Sequence, residues 1–276
     1  MTVASAPASS ANLGPGFDIL ALALGLRCRV TAIPASQWMV RSGDQTASSA
    51  TSEMVRSVAQ QDRPHSVQID SDIPIGRGLG SSAAVLVAAA AAIGGNVDSD
   101  LLFEMTAAVE GHPDNVAAAV FGGLVAVGAD RSVNRLAVHP SLHVVVAVPD
   151  EVLSTSEARK VLPDTTSRDV AVRTATRLVM LIEGLRTAEP APFLAALGDE
   201  MHEAPRRAIT EIPGRLIAAG LNAGALFAAW SGAGPSVIGF AKEDAVDSVL
   251  AAFDDELGDS GTAREVPIDR EGVRLE

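Results

Sequence analysis

Three glycines at alternate positions, Gly76, Gly78 and Gly80, stand in the run Pro74-Ile75-Gly76-Arg77-Gly78-Leu79-Gly80-Ser81-Ser82-Ala83-Ala84. Glycine opens backbone conformations closed to residues with a Cβ, so successive N–H groups of such a loop can turn toward one anion. The loop runs directly into a stretch of alanine and valine with helical character. The first N–H groups of a helix lack internal partners, and its dipole favours negative charge there. Together these features suit a polyphosphate. The run is not a Walker A loop, because no Gly-Lys-Ser/Thr follows, and Ser81 stands where a dinucleotide fingerprint has its third glycine. The plain alternative is a glycine turn with Ser81 or Ser82 capping a core helix.

Other polar residues are less telling alone. Glu110, in Glu110-Gly111-His112-Pro113-Asp114-Asn115, reads as a surface glutamate at a helix end, and Arg159 and Arg206 as exposed helix charges. None of the five histidines pairs with another at metal-ligand spacing such as His-Glu-x-x-His, which argues against zinc.

The pattern Pro-x-x-x-Gly-Leu-Gly-Ser-Ser-Ala at Pro74 to Ala83 resembles the phosphate-binding motif of the GHMP kinases, which include galactose, homoserine, mevalonate and phosphomevalonate kinases. Ser10-Ala11-Asn12-Leu13-Gly14-Pro15-Gly16-Phe17-Asp18 and the segment Glu110 to Asn115 look like the members that act on homoserine. Ser231-Gly232-Ala233-Gly234-Pro235-Ser236 is similar to the family's C-terminal glycine loop.

The resemblance implies a phosphotransferase that uses ATP and Mg2+, with Pro74, Gly76, Arg77, Gly78, Leu79, Gly80, Ser81, Ser82, Ala83 and Ala84 at the nucleotide. It implies Ser82 and Glu110 as metal ligands, with Glu104 as the fallback carboxylate. The implied acceptor is the hydroxyl of L-homoserine, a zwitterion that needs an anion, a cation and neutral orienting groups. Asp18 suits the ammonium, Asn12 and Asn115 the neutral contacts, and His112 the turn at Asn115 and the substrate. Thr155-Ser156-Glu157-Ala158-Arg159 and His202-Glu203-Ala204-Pro205-Arg206 resemble the segments carrying two carboxylate-binding arginines, which map to Arg159 and Arg206, with Arg207 beside the latter. Two departures stand out. Thr51-Ser52-Glu53-Met54-Val55 lies where the family usually carries an Asn-Leu pair at the adenine, and Arg173 where a small polar residue is expected. A GHMP kinase for shikimate, mevalonate or pantoate, or an inactive nucleotide- or amino-acid-binding relative, are the alternatives. The implied fold is α+β: an N-terminal domain like ribosomal protein S5 domain 2, then a ferredoxin-like domain, often as a homodimer.

The chain must supply the elements that position these groups. It has 276 residues, 47% of them hydrophobic and 20% charged, a globular composition with room for two domains. A net charge of −13 argues against nucleic acid or an anionic membrane as partner. No basic-then-apolar segment opens the chain, and the longest apolar stretch, Ala83 to Ile93, is short for a membrane span, so a cytoplasmic protein is expected. The single cysteine, Cys28, reads as a core residue of a strand. Strands are predicted at 2–6, 19–33, 38–41, 67–69, 122–127, 133–138, 142–148, 226–230 and 236–240, with polar loops at 7–18 and 42–50. Helices are predicted at 52–60, 82–93, 99–109, 113–120, within 155–197, and at 199–208, 213–221 and 244–253. A boundary near His139–Pro140 divides the chain into 1–139 and 140–276.

Overall fold

The structure is a computed structural model and describes residues 1–59 and 63–276. Gln60, the last residue of the helix predicted at 52–60, lies outside them. Strands β1 (Thr2–Ala11), β2 (Leu20–Pro34), β3 (Met39–Ser42), β4 (Gln45–Thr46), β5 (His65–Ser71), β6 (Leu124–Val127) and β7 (Val133–Leu136) belong to one sheet. Its order is β1-β2-β5-β3-β4, with β6 on β2 and β7 on β6; all pairs are antiparallel except β3 with β5. Helix α1 (Ser49–Ser57) flanks β3, while α2 (Ser81–Gly94), α3 (Ser99–Glu110) and α4 (Pro113–Phe121) stack over the sheet.

Helix α2 is apolar all round, as its composition requires, because it lies between the sheet and α3 and α4. Val85, Leu86 and Val87 are buried, each stabilising the packing by about 1.5–3 kcal/mol relative to exposure. Left-handed glycines, Gly80 and Gly95, bracket the helix. Its alanines let it approach β1, where Ala8, Ser9, Ser10 and Ala11 are equally small and buried. That close packing explains a difference from the sequence-based expectation: the predicted loop at 7–18 is strand as far as Ala11. β1 keeps its pairing with β2 through a bulge between Pro7 and Ala8.

The chain passes to a second sheet between Leu136 and His143. It contains β8 (His143–Pro149), β9 (Phe227–Trp230), β10 (Val237–Ala241) and β11 (Gly261–Glu265), in the antiparallel order β11-β8-β10-β9. Helices α5 (Thr155–Lys160), α6 (Arg168–Thr187), α7 (Pro190–Ala196), α8 (Glu203–Arg206) and α9 (Ile212–Asn222) lie between β8 and β9; α10 (Val246–Leu257) precedes β11. The strand–helix–strand–strand–helix–strand order with the fourth strand beside the first is the ferredoxin-like plait. β8 is buried on both faces: Val144, Val146 and Val148 join the core shared with the first unit, and Val145 and Ala147 face α9 and α10. The helix predicted at 199–208 shrinks to the single turn of α8.

The end of the chain returns to the first sheet, where β12 (Arg274–Leu275) pairs with β1. Neither β11 nor β12 was anticipated. Among the described residues no helix is long and apolar enough to cross a membrane. Cys28 is buried on β2, which pushes its thiol up to about 12.

Candidate active site

The glycine loop borders a cavity of about 400 Å³ between the two units. Four of its carbonyls are taken by protein donors. Gly76 O accepts from Leu153 N (3.1 Å), Arg77 O from Ser236 N (3.3 Å), Leu79 O from Ser9 N (3.1 Å) and Gly78 O from Ser231 Oγ (2.7 Å). In a planar trans peptide the N–H points opposite to the carbonyl of the same unit. The N–H groups of Arg77, Gly78, Leu79 and Gly80 therefore point away from those four partners. Among the described residues, these four and the N–H groups of Ser81, Ser82 and Ala83 have no acceptor within the protein. The packing also dictates the glycines. Gly78 and Gly80 have φ of +76° and +65°, and a Cβ on them would stand 2.1 Å from Ser231 O and 2.0 Å from Ser9 Oγ.

Pro74, Gly76, Gly78, Leu79, Gly80, Ser81 and Ser82 all border the cavity. Arg77, Ala83 and Ala84 do not: the two alanines are buried in the packing of α2, and the half-buried Arg77 keeps Nη1 without a partner. Thr51, Met54 and Ile75 also line the cavity, so the segment lacking the family's usual adenine pair still borders the site.

Ser82 and Glu110 meet there. Ser82 sits in the first turn of α2 and Glu110 ends α3; Ser82 Oγ donates to Glu110 Oε2 at 2.7 Å. Burial pushes the Glu110 carboxyl above the ordinary range, offset in part by the Ser82 hydrogen bond. A Mg2+ ion takes oxygen ligands at ~2.0–2.1 Å in an octahedron, so neighbouring ligands stand about 3 Å apart. A hydroxyl and a carboxylate already 2.7 Å apart fit one edge of that shell, leaving the other positions to phosphate and water oxygens. The fallback Glu104 is exposed, pairs with Arg131 at 3.6 Å and does not border the cavity.

The same cavity is lined by the remaining predicted residues: Asn12, Asp18, His112, Asn115, Arg159 and Arg206. Arg159 grips Asp18 with both terminal nitrogens, at 2.5 and 3.2 Å. Arg206 is buried and lines the cavity, whereas Arg207 is exposed and does not border it. Burial, and then Arg159, lowers the Arg206 guanidinium to about 10, which leaves it charged at neutral pH. Both ends of the Asn12 amide are committed within the protein: Nδ2 donates to Gly232 O (2.8 Å), and Oδ1 accepts from Asp18 N (3.0 Å). Asn12 and Asp18 adopt left-handed φ of 71° and 55°, which these residue types tolerate. Asn115 Oδ1 accepts from Ser9 Oγ at 2.8 Å. His112 occupies the N-cap position of α4 without a side-chain capping bond, 3.9 Å from Glu110; burial and Arg159 push its imidazole down.

Three residues of the site had no role in the sequence reading. Asp114 borders the cavity, 2% exposed, and burial raises its carboxyl to about 6 despite a hydrogen bond from Asn115 N (2.8 Å). Phe17 lies beneath both guanidinium groups and His202 behind Arg206. All three fall inside the motifs quoted above, but the burial of Asp114 and His202 and the stacking of Phe17 on residues distant in the chain leave no mark on local sequence. Arg173 lies apart, paired with Glu200 on the exposed side of α6; together with Arg177 it holds the Glu200 carboxyl down to about 2.

A glycine loop with free N–H groups, an oxygen pair suited to a divalent ion and charged groups lining the same cavity on this two-unit fold point to the small-molecule kinases. The chain belongs to the GHMP kinases: the family's N terminal domain matches residues 46–123, and its C terminal domain residues 181–259. Among individual proteins it is similar to the homoserine kinase of Deinococcus radiodurans, 35% identical across 98% of this chain and 95% of the relative. It is likewise similar to the homoserine kinase of Streptococcus mutans, 34% identical across 98% of each. Its fold matches the crystal structure of homoserine kinase from Cytophaga hutchinsonii with a TM-score of 0.85 at 22% identity, covering 100% of this chain and 97% of that one. A mevalonate kinase structure shares the fold at a TM-score of 0.71.

Proposed function

We propose that this protein transfers the γ-phosphoryl group of ATP to the side-chain hydroxyl of L-homoserine, giving O-phospho-L-homoserine and ADP. One observation carries the reading: a single cavity is lined both by the glycine loop with the Ser82–Glu110 pair and by Asp18, Arg159 and Arg206. The first set suits a triphosphate, the second an amino acid with one free end. The apolar wall at Met54 and Ile75 takes the adenine.

Ser82 and Glu110 hold Mg2+, which supplies charge neutralisation on the phosphates. The N–H groups of Arg77 to Ala83 bind phosphate oxygens. Asp18 holds the ammonium of homoserine, and Arg159 and Arg206 its carboxylate, while His112, Asn115 and Asp114 flank the side chain. Asn12 acts through the backbone, tying Asp18 to Gly232. Phosphoryl transfer asks chiefly for alignment and charge stabilisation, and this reading assigns no general base. The units divide at 139/140, and the protein works in the cytoplasm as a homodimer.

Purified protein given ATP, Mg2+ and a panel of hydroxyl acceptors tests this. ADP release with homoserine, and not with shikimate, mevalonate or pantoate, is expected; release with another acceptor moves the assignment, and release with none refutes it. In the same assay Asp18→Asn raises the KM for homoserine while kcat stays near the parent value. A collapse of kcat instead would make Asp18 a base.

A further inference from the structure

We infer that His202 and Phe17 act together as positioning residues for the amino-acid end of the cavity, fixing the Arg206 guanidinium before substrate arrives. The inference rests on the reading of Arg206 as a carboxylate ligand.

The imidazole of His202 is fully buried, and its two neighbours dictate its form. Nε2 stands 2.8 Å from the carbonyl oxygen of Gly14, which only accepts, so Nε2 carries the hydrogen. Nδ1 stands 3.0 Å from Arg206 Nη1, which only donates, so Nδ1 presents its lone pair. Both demands are met by one neutral tautomer and by no other protonation state. Burial is the main force against a second proton and Arg206 adds to it. Asp199, whose Oδ2 lies 3.7 Å from Nε2, works the other way without prevailing: the imidazole is held down to about 4. Asp199 is itself engaged, accepting from the N–H groups of His202 and Glu203 at the start of α8.

Arg206 is then fixed at three points. Nη1 bonds His202 Nδ1 and Gly232 O (3.0 Å), and Nε bonds Ala158 O (3.2 Å). Among the described residues Nη2 has no acceptor, and Arg206 borders the cavity, so Nη2 is the nitrogen left for a ligand. The ring of Phe17 stacks on His202, with centroids 5.0 Å apart and planes 22° from parallel. The same ring lies 5.8 Å from Arg206 Cζ and 5.5 Å from Arg159 Cζ. One aromatic ring thus attends two guanidinium groups that repel each other, and the attraction of a cation to a π face offsets that repulsion. His202 also reaches Gly14, in the loop that carries Phe17 and Asp18. The anionic and cationic contacts for substrate are set in register through one imidazole, and side chains fixed in advance lose less freedom on binding.

Isosteres separate the two bonds. His202→Gln places an amide N–H near Nε2 but no acceptor at Nδ1, whereas His202→Asn places an oxygen near Nδ1 but no donor toward Gly14. His202→Gln and Phe17→Leu are expected to raise the KM for homoserine roughly tenfold while the KM for ATP stays within about twofold; His202→Asn falls between them and the parent. A homoserine KM within about twofold of the parent in both His202→Gln and Phe17→Leu, or equal rises for both substrates, overturns the proposal. A readout independent of turnover accompanies the kinetics: ¹⁵N spectra of the parent protein at neutral pH should show His202 as the Nε2–H tautomer. A protonated or Nδ1–H ring overturns the proposal even if the variants fail to fold. A parent that makes no phosphohomoserine refutes the functional reading, while the spectra still judge the Arg206 contact.

Discussion

Glu110 shows how a residue's environment separates function from stability. Its carboxyl is raised by burial, so in the folded protein the ionised form is disfavoured relative to the unfolded chain. The sign follows by linkage: ionising Glu110 costs stability above its folded pKa, and the cost vanishes once pH falls below the ordinary glutamate range, where both states are protonated. Glu110→Gln removes that cost together with the anionic ligand. Without metal the variant should melt at or above the parent temperature in mildly alkaline buffer, while the Mg2+ concentration supporting half-maximal turnover rises at least roughly tenfold. Thermal melts and Mg2+ titrations check the two halves, and a large fall in the metal-free melting temperature would assign Glu110 to the fold instead. The sequence pointed to Glu110 only through the surrounding motif, because a lone glutamate at a helix end has no local signature of burial. Asp114 and His202 were illegible as site residues for the same reason, and Phe17 because the groups it stacks on, His202, Arg159 and Arg206, lie in other elements.

The loop before α2 was legible because the demand it meets is local: a backbone of positive φ is written directly as glycine. Its strictness comes from neighbours. A Cβ added at Gly80 would meet Ser9 Oγ at 2.0 Å, against 3.1 Å for Asn115 Oδ1 and 3.2 Å for Ser9 Cβ, so most of the clash belongs to one hydroxyl. Gly80→Ala should cost about 2–3 kcal/mol of stability in denaturant melts and raise the KM for ATP more than that for homoserine. Adding Ser9→Ala should return about 1 kcal/mol, the remainder coming from the left-handed φ and the lost Ser9–Asn115 hydrogen bond. No recovery in the double variant would place the strain elsewhere. At the same scale β8 was readable, since a strand apolar on both faces is a continuous run of valine and alanine. The second half of β1 was not: its alanines and serines are small because α2 presses close, and in sequence such residues look like a loop.

Across the whole molecule the two sheets are joined by more than the linker between them. One core cluster holds residues of both, including Leu22 from β2 and Phe240 from β10. Arg27 anchors the returning tail: its guanidinium bonds the Asp269 carboxylate, Ser5 O (3.0 Å) and Gly272 O (2.7 Å). Replacing it by methionine would remove the cation beside a largely buried carboxylate that keeps only the N–H groups of Glu271 and Gly272, a loss of about 3 kcal/mol. The Arg27→Met protein should melt roughly 5–10 °C lower, still in one calorimetric transition; two separated transitions would show that the units unfold independently. Nothing in residues 266–276 announces this role, for the segment is short, polar and paired with strands at the opposite end of the chain. The return of β12 also has a topological consequence. A cut in the stretch between β7 and β8 would not free two halves, because the C-terminal fragment keeps a strand that completes the edge of the other fragment's sheet. The pieces would have to find each other by strand complementation, and the second half made alone would carry an unpaired β12 with no sheet to receive it.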